Sequence, residues 1–155
     1  MLTPNDIADR LEELVKEKFP GEPLHRELVP QGFTRPCNLI VQEPWTGDPG
    51  FGTGMILLHP VYTLTTFVEV DEYHHSHLAL MHLRQMTLLG LFLPGFIKVG
   101  DRAPKVESIE MAGGYDYDTV TVTFGYTLDR QDFETIEQRP NMEQLHLRTE
   151  VRTYG

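Results

Sequence analysis

The chain has 155 residues, 40% of them hydrophobic and 23% charged, a size and composition that suit one globular domain. Thirteen basic against 23 acidic residues leave a net charge of −10 with histidines neutral, which argues against a surface that wraps nucleic acid through phosphate contacts. A single cysteine, Cys37, excludes an intrachain disulfide and a cysteine-built zinc site.

The lone cysteine fits an intracellular place of synthesis, and the amino-terminal sequence lacks the basic start and apolar run of a signal peptide. A first helix is signed by Thr3 as cap, Pro4 at the first helical position and Asp6 in the first turn. Ile7, Ala8, Leu11, Leu14, Val15 and Phe19 form its apolar stripe, Glu12 and Lys16 pair on the wet side, and Pro20-Gly21 ends it. Two short strands are expected over 24–29 and 37–42, joined through Pro30-Gln31-Gly32-Phe33-Thr34-Arg35-Pro36.

The stretch 43–60 holds four glycines, three prolines and the only tryptophan. It reads as a long projecting loop, and its apolar side chains Trp45, Phe51 and Met55 are expected to meet another protein. A long strand over 61–70 follows. A second helix over 76–93 carries Ala79, Leu83, Met86, Gly90 and Leu93 at helical spacing. Met81, Leu88, Leu91 and Phe92 make a second stripe on its opposite side. A helix apolar all round must be covered all round, by the rest of the monomer or by a neighbouring subunit, which makes Leu88 and Phe92 candidate contacts. The longest stretch free of charged residues and of histidine, Gln85–Ile97, is thirteen residues broken by Gly90, Pro94 and Gly95, short of the roughly 20 needed to cross a bilayer.

Short strands are expected over 96–99 and 105–111. They lead into 118–128, the clearest element of the chain. Val120, Val122, Phe124, Tyr126 and Leu128 fall on one face of it; Thr119, Thr121, Thr123, Gly125 and Thr127 fall on the other. The core is expected from Leu11, Leu14, Val15, Leu39, Val68, Leu83, Met86, Val120, Val122 and Phe124. Residues 129–140 read as a polar linker, and beyond it Leu145, Leu147, Thr149 and Val151 alternate with His146, Arg148, Glu150 and Arg152. That strand-like segment is expected to act as an arm, with Leu145, Leu147 and Val151 as contacts. The fold class is α+β: a mostly antiparallel sheet packed by two amphipathic helices.

Residues with catalytic potential are few. His74, His75, His77 and His82 could suggest a small metal-binding enzyme, but in a turn followed by a helix the first three rings fan apart and His82 is poorly spaced from His77. Gly50-Phe51-Gly52-Thr53-Gly54 lacks the Gly-Lys-Ser/Thr of a phosphate-binding loop. No catalytic residue, metal or cofactor is assigned.

The order of elements, with the Gln-Gly-Phe-Thr-Arg-Pro-Cys segment at 31–37 and the Met111-Ala112-Gly113-Gly114 turn before the strand that closes on Tyr126, resembles the tail terminator (tail completion) proteins of tailed phages and prophages of Gram-positive hosts. The resemblance covers about residues 1–128. It implies a structural virion protein at the head–tail junction, assembled in the host cytoplasm as a ring, hexameric in the family. Such a ring caps the tail tube, ends its polymerisation and meets a head-connector or neck protein. Its partners are then further copies of itself, the tail-tube protein and the connector, with DNA passing through the lumen without specific binding and no membrane involved. A head-closure or tail-tube protein is the neighbouring alternative; an enzyme built on His74, His75 and His77 is the remote one.

Overall fold

The computed structural model describes residues 1–69 and 77–137. It is an α+β fold with a mixed, mostly antiparallel five-stranded sheet. The elements in chain order are α1 (Pro4–Lys18), β1 (Leu24–Arg26), β2 (Cys37–Gly52), β3 (Met55–Phe67), α2 (Leu78–Gly90), β4 (Lys105–Gly113), β5 (Tyr117–Asp129) and α3 (Arg130–Glu137). The strand order is β1-β2-β3-β5-β4. By their contacts the residues group into two compact units, Leu2–Gly47 with Leu58–Tyr126, and Asp48–Leu57 with the described residues from Thr127 on.

The larger unit holds the core. α1 starts as its sequence dictates: the Asp6 N–H donates to the Thr3 hydroxyl and the Thr3 N–H to the Asp6 carboxylate, a reciprocal capping box ahead of Pro4. It buries Ile7, Ala8, Leu11 and Val15, while Leu14 is half-buried. β5 supplies the opposing surface, with Val120, Val122, Phe124 and Tyr126 buried and Thr119, Thr121 and Thr123 half-buried on the other face. The two phenols tie the sheet to the start of the chain: Tyr62 donates to the Pro4 carbonyl at 2.7 Å and Tyr126 to the Leu2 carbonyl at 2.9 Å. Burial pushes the Tyr62 hydroxyl far above its ordinary pKa, which favours the protonated, donating form.

β1 is shorter than expected and runs parallel to β2, with Leu24 opposite Asn38 and Arg26 opposite Ile40. Arg26 reaches back to α1, where Asp9 and Glu12 accept from its guanidinium at 3.0 and 2.9 Å. The strand expected over 96–99 is reduced to two isolated bridges, Phe96 with Lys105 and Val99 with Arg102.

The stretch 43–60 is not a loop. It is occupied by the second half of β2, a turn at Thr53-Gly54 and the first residues of β3. Gly54 takes a positive φ of 77°, which the tight reversal requires. Pro44 fits within β2 because residues 38, 40 and 42 turn their backbone groups to the outer edge and β1 pairs there only as far as Ile40, so the next outward position needs no donor.

In the smaller unit, residues 129–137 are not a polar linker either. The Asp132 N–H donates to the Asp129 carboxylate and the Asp129 N–H to the Asp132 carboxylate, a second capping box that starts α3. Thr53, Gly54, Met55, Asp129, Arg130, Gln131 and Glu134 line an open depression of about 520 Å³ in this unit.

Candidate interaction surface

α2 begins at His77, whose ring accepts from the Leu80 N–H at 3.0 Å. One of the four histidines is thereby used as a helix cap. His74 and His75 lie outside the described residues, and among the described residues no group of three or more potential metal ligands converges.

The inward side of α2 is set by three residues one turn apart. Met81 and Leu88 are fully buried, and Arg84 between them is buried as well. The Arg84 guanidinium donates to both Glu22 carboxylate oxygens at 2.9 and 2.6 Å, to the Thr66 hydroxyl at 2.8 Å, and stands over the Phe19 ring at 4.2 Å. Past the helix end, Phe92 meets Phe124 edge to face at 5.9 Å. Beside Arg84, the Gln85 amide donates to the carbonyls of Ala112 and Thr119 at 3.0 and 2.9 Å, fixing the helix over the ends of β4 and β5.

That seating turns the expected core stripe outward. Leu83 is 64% exposed, Met86 56% and Leu93 87%, with Ala79 and Gly90 exposed between them. Leu83 and Met86 are therefore not core residues. Leu88 and Phe92, expected as partner contacts, are the buried ones. The reason is the bidentate pair: Arg84 is placed inside by Glu22, and a helix that points residues 81, 84 and 88 inward must point 79, 83, 86 and 90 outward, with Leu93 exposed just past its end. Arg84 and its partner were missed in the sequence because nothing in the local spacing links positions 22 and 84. Leu78 and Leu80 at the helix start and Phe96 beyond its end are also exposed. One helix thus presents a run of exposed apolar side chains several turns long.

Under the start of α2, Asp118 is buried, and its Oδ2 accepts no hydrogen bond. Burial pushes its carboxyl above the ordinary value, partly offset by the His82 ring nitrogen 3.9 Å away.

The sheet face away from the helices is polar. Thr63 donates to the Glu43 carboxylate at 2.7 Å and shares a 3.1 Å contact with Thr121. The Glu107 carboxylate crosses over Gly125 to reach His59 Nδ1 at 2.6 Å. At one end of this face Phe67 packs between Phe33 and Tyr117, with centroids 4.9 and 6.0 Å away. Arg35 lies over Phe33 and Phe67 at 4.9 and 5.3 Å and donates to the Asp116 carboxylate at 2.7 Å. The Phe33-Thr34-Arg35 part of the connection before β2 is thus an aromatic and ionic clamp.

Of the remaining candidate contacts, Trp45 stands exposed on β2, and Met55 is half-buried at the edge of the open depression. The side chain of Phe51, and Leu145, Leu147 and Val151, lie outside the described residues. Compared with known protein families and with curated proteins, the sequence matches none.

Proposed function

We propose that this chain is a structural subunit that closes into a homo-oligomeric ring at the end of a phage tail tube, where it stops tube growth and meets the head connector. The observation that carries the assembly reading is the outer face of α2: Leu83 and Met86 are exposed on it and Leu93 just past its end, while the other side of the helix is already filled. Extended apolar patches on soluble proteins mark interaction sites, and a self-complementary helix face is a common way for identical subunits to meet. The tail-terminator role is supported by the order of helix, strands, helix and closing hairpin that the resemblance rests on. The net charge of −10 suits a ring through which DNA passes without being held. In this role the chain makes no bonds and holds no cofactor.

Sedimentation velocity and negative-stain electron microscopy of the purified protein test this. Discrete rings one subunit thick are expected. The double variant L83E/M86E should remain folded by circular dichroism while losing the ring. Long tubes would move the chain to the tail-tube class, and a monomer at high micromolar concentration would refute the ring.

A further inference from the structure

We infer that the free edge of β4 receives residues 145–152 of a neighbouring copy as an added strand. The inference rests on the ring reading and names the segment and the edge through which neighbours are tied. β4 has β5 on one side only. Its other side is met at its start, where Phe96 bridges Lys105 and the Val106 N–H donates to the Gly95 carbonyl at 2.8 Å. From Glu107 to Gly113 no further strand flanks it among the described residues, and every side chain there except Ile109 is exposed. An edge of that length offers unpaired backbone donors and acceptors to another strand.

The side chains of β4 define what such a strand must look like. Ile109 and Met111 lie opposite Val122 and Val120, on the helix-covered face. Ser108 and Glu110 lie opposite Thr123 and Thr121, on the polar face, where the Glu107 carboxylate is also held. An added strand therefore needs apolar residues on one side and basic ones on the other. The segment 145–152 reads Leu-His-Leu-Arg-Thr-Glu-Val-Arg. With Leu145, Leu147, Thr149 and Val151 extending the Ile109–Met111 face, His146, Arg148, Glu150 and Arg152 fall on the side of Glu107 and Glu110, where two arginines outnumber the one added carboxylate. A slip by one residue would put both arginines on the apolar face, so the alternation fixes the register to within steps of two. Seven residues, 138–144, separate the segment from α3, and a chain of that length spans up to about 25 Å when extended.

The test is site-directed crosslinking in the full-length protein, whose native Cys37 is buried. A chain carrying E110C is mixed with chains carrying H146C, L147C, R148C or T149C, each in a separate reaction under mild oxidation. Covalent dimers are expected with H146C or R148C and at least about fivefold fewer with L147C and T149C, since facing side chains alternate along a strand. Equal yields at all four positions, or no dimers, would overturn the pairing. A chain carrying both E110C and R148C that closes within itself as a monomer would overturn the exchange between copies. Ring formation is scored in parallel by sedimentation. Rings without crosslinks remove the arm and keep the ring, whereas crosslinked dimers without rings keep the pairing and remove the ring.

Discussion

α1 and α2 are each amphipathic in sequence and each capped by a side chain at its start, yet they use their apolar residues in opposite ways. α1 buries the stripe that its spacing defines, Ile7, Ala8, Leu11 and Val15. α2 has two stripes and buries the one interrupted by an arginine, leaving the uninterrupted one outside. Periodicity establishes that an apolar face exists; what covers it depends on contacts remote in sequence. For α1 the partner is the core of its own subunit. For α2 a bidentate ion pair decides the rotation, and the better apolar stripe is left exposed.

Substitutions on the two helices sharpen this contrast. The largest loss is expected from Leu11→Ala, because the side chain is fully buried; urea titration should show about 2–5 kcal/mol. Arg84→Ala comes next, at about 3 kcal/mol, the lower end for breaking a buried pair, because Glu22 keeps part of its side chain in water. If Arg84→Ala were neutral in the same titration, the ion pair would not set the rotation of α2. Thr3→Ala removes the α1 cap and should cost about 1 kcal/mol.

A further difference is one of pH. The native state holds the Asp118 proton to higher pH than the unfolded chain does, so this group's contribution to stability is full on the acid side of the ordinary carboxylate range. It is lost as pH rises through the raised folded value. Asp118→Asn should remove that component, and subtracting the two stability–pH curves should leave a slope confined to this window. The smallest effect on stability belongs to Leu83→Gln, within about 0.5 kcal/mol, and it should instead weaken self-association in sedimentation. A loss as large as that from Leu11→Ala would show that Leu83 packs within its own subunit.

The elements that were legible in the sequence carry their own evidence locally. The alternation of β5 agrees with its burial except at Gly125, which the Glu107 carboxylate covers, and Thr3-Pro4-Asn5-Asp6 announces α1 because a capping box needs only four neighbours. What was not legible depends on distant partners. Glycine and proline over 43–60 read as a loop, whereas Pro44 is tolerated where β2 has no outer neighbour. The Asp129–Asp132 box was readable in principle but was hidden in a run of acidic residues. The apolar stripe of the candidate surface was found, and its assignment to the core was wrong because Glu22 lies 62 positions from Arg84.

Gly125 gives the sheet a mechanical property. Because it has no side chain, the Glu107 carboxylate from the outermost strand passes across β5 and is held by His59 on β3. A Cβ at this position would strike that carboxylate and push it off its partner. With the gap in place, a pull on β4 is carried by β5 through the backbone ladder and by β3 through the side-chain link. Load on the rim of the sheet is thereby shared among three strands.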